Sequence, residues 1–348
     1  MRPASYPAAA PAAGWEAPTR LRWFTSLNDD SFAYLLGAAL RSAAEYNPGL
    51  LAPRVMLPPS KPMPATAALA LRYNASLVEH EVLFASSLRA HMLGGLGMSE
   101  GEVGIALATF MRVDAALLAA AESLQQPVAW VRENLAASAR GMAALGRVED
   151  TVLYTDTDVL FLGPVGQAVV LGDVAFAGAF AVRRDSPRSS KFNTAVMLLR
   201  VSRFLLLYER LLQFWEGSGF ACVRDAWDQG CLNAFVQHEA LLEEVAVLPP
   251  ELHTTPYDKW VEGNPPVLLL HFHGPKPQML LEFLRGAGAG LDKSGYPGFV
   301  TLNPEGYLKS LMLFAALQDA PTAAAQVHGT VDASFLPWCK KHPGTVPC

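Results

Sequence analysis

The stretch Val152-Leu153-Tyr154-Thr155-Asp156-Thr157-Asp158-Val159-Leu160-Phe161-Leu162 is an apolar run interrupted by two carboxylates at i and i+2. Alternate side chains of an extended segment share a face, so Asp156 and Asp158 are expected to project together where a buried strand ends. Acidic residues are seldom buried unpaired, and a hard divalent cation is the simplest compensation for two of them. The competing account is a solvated turn at the strand end.

Around this run the chain alternates between strand-like and helix-like segments. Leu21 to Leu27 reads as a strand that ends in the polar turn Asn28-Asp29-Asp30-Ser31, followed by a helix-like Ala/Leu segment through Ala44. Arg54 to Leu57 is a second strand, closed by Pro58-Pro59, and Ser76 to Phe84 is a third candidate. A Gly-rich loop around Gly94 to Gly101 leads into Ile105 to Leu118, then a helical Ala/Leu region extends to Leu145. Beyond the carboxylates, Val174 to Val182 and Phe192 to Val201 read as strands, separated by a polar, basic-biased loop from Arg183 to Lys191. Phe204, Tyr208, Leu211, Leu212 and Trp215 recur at helical spacing within Arg203 to Glu216, which makes an amphipathic helix with a core-facing stripe. Val267 to Leu270 is a last short strand, with one helix expected near Leu308 to Leu317. This order predicts an α/β sandwich with a mixed, mostly parallel sheet flanked by helices, in which ligands sit beyond the carboxyl ends of the strands. Asn28, Asp156 and Asp158 fall at such ends.

Length and composition narrow the classes. A chain of 348 residues can bury a large core. Hydrophobic residues make up 51% and charged ones 17%, but Ala supplies the excess, and without an uninterrupted apolar run of about 18 residues no membrane-spanning segment is expected. A net charge of -5 without a basic cluster argues against a nucleic-acid surface, where counterion release needs grouped Lys and Arg. Residues 1–20 are Ala/Pro-rich and read as a disordered leader rather than a secretory signal; the compartment stays open between cytoplasm and, for a truncated chain, Golgi lumen. The sequon Asn74-Ala75-Ser76 matters only in the second case. Cys222, Cys231, Cys339 and Cys348 form no metal pattern; free thiols are the expectation, with a Cys339–Cys348 bridge open in an oxidising compartment.

Two further clusters carry chemistry. His271-Phe272-His273-Gly274-Pro275-Lys276-Pro277 follows the last short strand. Two carboxylates, one imidazole and phosphate oxygens suit manganese better than an all-oxygen magnesium shell. Gly274 permits close backbone approach and Lys276 neutralises a phosphate, so the segment reads as a diphosphate clamp. His273 is a rival to His271 as the ligand. In Asp225-Ala226-Trp227-Asp228-Gln229-Gly230-Cys231-Leu232-Asn233 the two Asp are three apart, as on one helical face, and Asp228-Gln229 open a helix running to Val236. Helix capping is the plain account; binding of sugar hydroxyls is the sharper one.

Together these motifs resemble the glycogenin-like, family 8 glycosyltransferases of GT-A fold. The matching pieces keep the family's order: Thr25 to Asp29, Phe110-Met111-Arg112, Tyr154 to Phe161, Phe192-Asn193-Thr194-Ala195-Val196, Asp225 to Asn233, and His271 to Pro277. The resemblance implies a catalytic domain over 21–280 and leaves 281–348 as an extension of unknown role. It implies that Thr25, Leu27 and Asn28 line the nucleotide base pocket and that Arg112 reaches the donor. Asp156, Asp158 and His271 would bind Mn2+, with Mg2+ the alternative, on the diphosphate of a nucleotide sugar, expected to be a UDP-sugar. Thr157, Asn193, Thr194, Gly274 and Lys276 would also contact the donor. Asp225, Asp228 and Gln229 would surround the transferred sugar as catalytic residues.

The family retains anomeric configuration, by double displacement or by same-face internal return, and both stay open here. The sequence departs from the family pattern in four places. Ala195 replaces a Gly, the His271 to Lys276 loop is one residue shorter, Gln278 replaces an aromatic residue, and the Asn expected after Leu248-Pro249 is replaced around His253-Thr254-Thr255. An inverting GT-A enzyme and an inactive relative that binds nucleotide sugar or glycan are the alternative readings. The acceptor, whether glycan, protein or small molecule, has no motif.

Overall fold

The computed structural model describes residues 21–47, 53–137, 150–165, 178–184, 191–225, 227–256, 258, 267–274, 276–277 and 304–317. The expected leader, the Cys339–Cys348 bridge and most of the 281–348 extension lie outside the described residues. The main sheet contains β1 (Leu21–Ser26), β2 (Arg54–Leu57), β3 (Ser76–Glu79), β4 (Thr151–Thr155), β6 (Phe180–Arg184), β7 (Phe192–Arg200) and β8 (Val245–Val247). Their spatial order is β3-β2-β1-β4-β7-β6-β8. Pairings are parallel except those of β7 with β4 and β6. The mixed, mostly parallel sheet is therefore as expected, and its order reverses between β1 and β4, where a crevice opens at the carboxyl ends.

Period-two alternation assigns the faces of the central strands. Phe24, Val152, Tyr154, Met197 and Leu199 belong to one core cluster, whereas Trp23, Leu153, Val196 and Leu198 belong to the other. The first is covered by α4 (Glu100–Leu124), α6 (Val201–Gly217) and α7 (Trp227–His238); the second by α1 (Ala33–Tyr46). Strands buried on both faces read as continuous apolar runs, which is what β4 and β7 show.

Helix α4 is the longest element. Ser99 caps it in a reciprocal box with Glu102, and Gln125 ends it in a left-handed turn. By length and composition it could cross a membrane, yet 78% of its most apolar window is buried within the protein, as befits a core helix. It carries Arg112 into the crevice between sheet and helices.

Several local expectations are corrected. The carboxylate run is not one strand: β4 ends at Thr155, Asp156 to Asp158 turn, and β5 (Val159–Phe161) leaves for a separate two-stranded ribbon with β9 (Leu269–His271). The third strand stops at Glu79 rather than Phe84. Arg183 and Arg184 belong to β6 rather than to a loop, and the segment from 185 to 190 lies outside the described residues. Asp225 and Asp228 do not share a helical face, because Asp225 ends a 3-10 helix (Ala221–Asp225) and Asp228 lies in α7. Cys222 and Cys231 are joined as a disulfide rather than free. The C-terminal helix expected near Leu308 starts earlier, at Pro304, and runs to Ala316.

Candidate active site

Strand β4 delivers the first ligand. Continuing its alternation past Thr155 places Asp156 on the α4 face, where Arg112 Nη2 donates to its Oδ1 at 3.0 Å. The chain then turns through Thr157 into β5, whose antiparallel register sets Val159 directly opposite His271. Asp158 precedes Val159, so this register brings the second carboxylate beside the imidazole. His271 Nε2 lies 3.7 Å from Asp158 Oδ1, and Phe272 N donates to the backbone O of Asp158 at 3.0 Å. One donor atom each from Asp156, Asp158 and His271 fall within 4.8 Å of one another. The donor set, two carboxylates and one imidazole, fits a divalent cation of borderline hardness.

The opposite wall comes from β7 and α7. Asn233 clamps the backbone of Phe192 from both sides, accepting from its N at 2.7 Å and donating to its O at 2.9 Å. This fixes α7 against β7, so Asp228 and Gln229 face Thr194. Arg112 Nε lies 2.9 Å from Asp228 Oδ2, Thr194 Oγ1 is 3.4 Å from the same oxygen, and Thr194 N donates to Gln229 Oε1 at 3.3 Å. Asp156 N donates to the backbone O of Ala195 at 2.8 Å, closing the floor.

Arg112 thus bridges the two walls, stacked 5.2 Å from the Tyr154 ring centre and also bonded to Thr194 Oγ1. Burial works against its charge, but Asp156 and Asp228 outweigh it and raise its pKa. Burial pushes the Asp156 carboxyl up to about 7; Arg112 opposes this, while Asp158 and Asp228 add to it. Asp228 is likewise raised by burial against the pull of Arg112. Burial, with the positive surroundings of His273, Lys276 and Arg112, holds His271 well below the ordinary imidazole range, so it is neutral and offers a lone pair. Lys276 Nζ contacts Asp158 Oδ2.

These groups line one cavity of about 480 Å3. Of the residues expected from the sequence, Leu27, Asn28, Arg112, Asp156, Thr157, Asp158, Asn193, Thr194, Asp228, Gln229, His271 and Lys276 line it, as does His273. Thr25 does not: it is fully buried within β1, and its neighbour Ser26 lines the cavity instead. Gly274 is outside the lining and takes a left-handed φ of 89° in the turn after β9, a conformation that favours glycine. The side chain of Asp225 lies outside the described residues.

Sequence reasoning missed Phe32, Leu35, Ile105 and Trp227 in the wall. It missed as well the role of His253, whose Nε2 sits 3.0 Å from His271 Nδ1. The apolar spacing of α1 and α4 did not distinguish wall residues from core ones. The His253 contact is tertiary and has no local signal.

No protein-family profile matches the sequence, and no curated protein matches it significantly. Solved structures do. A galactosyltransferase, LgtC, in complex with donor and acceptor sugar analogs is 16% identical, with a TM-score of 0.50, over 89% of this chain and 99% of that one. The glycosyltransferase GlyE of Streptococcus pneumoniae TIGR4, in its apo form, is 14% identical with a TM-score of 0.47, over 74% of this chain and 56% of that one. WbbM, a bifunctional glycosyltransferase, is 12% identical with a TM-score of 0.47, over 93% and 53%. This chain therefore spans about half the length of GlyE and of WbbM. With its sheet order, its helix layers and the likeness to LgtC, the chain has the GT-A fold, the architecture of the family 8 glycosyltransferases that its motifs resemble.

Proposed function

We propose that this protein is a metal-dependent, retaining glycosyltransferase that takes a hexose or related sugar from a nucleotide sugar, a UDP-sugar being the preferred donor. The observation that carries the reading is the convergence of Asp156, Asp158 and His271 at the β1/β4 switch point, facing Asp228 and Gln229 across one cavity. Those three residues would hold the cation, Mn2+ in preference to Mg2+. When bound, the cation supplies Lewis-acid neutralisation of charge developing on the leaving diphosphate.

This chain's own residues do the rest. Lys276, in reach of Asp158, is placed to share the diphosphate charge, stabilising the departing group more than the intact donor. Leu27 and Asn28, after β1, supply the base end of the crevice, with Phe32 and Leu35 providing apolar walls. Asn193 and Gln229 offer polar atoms to sugar hydroxyls. Asp228 is buried and tied to Arg112 and Thr194, which restrains it as an attacking nucleophile. That restraint favours internal return, with Asp228 contributing negative potential near the developing oxocarbenium ion. The acceptor is drawn from glycans, proteins or small molecules.

The test is release of nucleotide from a panel of nucleotide sugars, wild type against Asp158→Asn. Slow hydrolysis of a UDP-sugar that needs Mn2+, and falls on the order of 10^2–10^3-fold in the variant, supports the reading. Absence of metal-dependent turnover with every donor sinks it.

A further inference from the structure

We propose that His253 is a positioning residue for His271, accepting a hydrogen bond from its Nδ1 so that the Nε2 lone pair is presented toward Asp158. The inference rests on the metal-dependent reading above. His253 is completely buried and His271 is 3% exposed. His253 Nε2 lies 3.0 Å from His271 Nδ1, and the other nitrogen of His271 is the one that faces Asp158. A neutral imidazole carries one proton, and the nitrogen that binds a cation must be the bare one. For His271 to ligate through Nε2, its proton must sit on Nδ1, and the atom facing that proton must accept. His253 Nε2 is that atom.

The backbone fixes this pairing. Thr254 N donates to Leu269 O at 3.0 Å and His271 N donates to Thr254 O at 2.8 Å, which adds the His253–Thr254 segment to the edge of β9. Arg183, on β6, donates to the backbone O of His253 at 2.7 Å and forks onto both oxygens of Asp258, at 2.6 and 2.7 Å. Asp258 in turn accepts from Thr255 N at 2.6 Å. The loop is thus clamped on either side of the imidazole.

When Nε2 accepts, the proton of His253 lies on Nδ1, and that buried atom has no hydrogen-bond partner among the described residues. An apolar side chain would fill the space without an unsatisfied donor, so the imidazole is explained by what its other nitrogen does for His271. Outer partners of metal-bound histidines orient the ring and set its tautomer. An Asn side chain at position 253 could also accept, through its amide oxygen.

The experiment measures Mn2+ affinity, from the electron paramagnetic resonance signal of the free ion, for wild type, His253→Phe and His253→Asn. Binding about 10–100-fold weaker in His253→Phe, largely recovered in His253→Asn, supports the assignment. Equal affinity in wild type and His253→Phe, or Asn no better than Phe, overturns it while leaving the metal reading intact. No Mn2+ binding by wild type overturns both. Should His253→Phe fail to fold, nitrogen-15 spectra of the wild-type imidazoles with Mg2+ bound decide the question. A proton on Nδ1 of His271 supports the assignment, and a proton on its Nε2 overturns it.

Discussion

Two arginine–carboxylate networks occupy opposite ends of the same two strands, and they are built differently. At the amino end, Arg22 on β1 joins Glu122 and Asp150, its Nε lying 2.8 Å from Asp150, and Arg54 on β2 also pairs with Glu122. Among the described residues, two cations meet two anions there. At the carboxyl end, Arg112 and Lys276 face Asp156, Asp158 and Asp228, with His271 neutral. Among the described residues, three carboxylates there face two permanent cations, with His273 a further imidazole in the lining. A balanced network ties strands to α4; an excess of carboxylate suits a further positive charge, and burial raises the Asp156 carboxyl at that end.

The largest effect that separates the two ends comes from removing their arginines. Arg112→Met leaves buried Asp228 and half-buried Asp156 without their main partner and is expected to destabilise the protein by about 3 kcal/mol. Arg22→Met should cost a comparable amount. Mn2+ should raise the unfolding temperature of Arg22→Met by the same amount as that of the wild type and raise that of Arg112→Met by more, measured by thermal unfolding with and without the ion. Equal response of the two variants to Mn2+ would break the comparison.

A middle-sized effect concerns the disulfide between Cys222 and Cys231, which closes a short loop around Asp225 to Gln229. Cys222→Ser is expected to lower stability by about 2 kcal/mol, read from urea unfolding. It should also reduce turnover, because the α7 wall loosens. The amino-end network is too remote to respond, so a double variant with Arg22→Met should show additive losses.

The smallest effect is pH-dependent. Hydrogen bonds and charge from Arg183, with help from Thr255, outweigh burial and hold the Asp258 carboxyl below its usual 3.8. A carboxylate depressed in the folded state contributes stability that is fully present above its unfolded pKa. That contribution disappears as pH falls from about 3.8 through the lower folded value. Asp258→Asn should therefore flatten the acid limb of the stability curve by less than about 1 kcal/mol, since this pair is partly exposed. An unchanged acid limb would remove Asp258 from the clamp that holds His253.

Much of this was legible in the chain itself, for reasons that differ by element. Arg54–Leu57 and the β7 run announced themselves because parallel and central strands must be apolar on both faces. The metal triad was legible because carboxylates inside such a run are anomalous. Its geometry was misread: a continuous strand would set Asp156 and Asp158 on one face by period two, whereas the chain turns between them and the β5–β9 register achieves the convergence. The start of α4 was written in Ser99 and Glu102, a capping box that sequence reading overlooked in favour of the glycines around it. His253, Trp227 and the Cys222–Cys231 pairing were not legible, since each depends on where a turn or 3-10 helix brings two distant segments together.

The surplus of carboxylate at the carboxyl end is tested most directly by calorimetric titration of UDP into the metal-free protein and into the protein with Mn2+. The account predicts binding that requires Mn2+, is lost in Asp158→Asn, and persists in folded Arg22→Met. UDP binding of equal strength without the metal, or undiminished in Asp158→Asn, would contradict it.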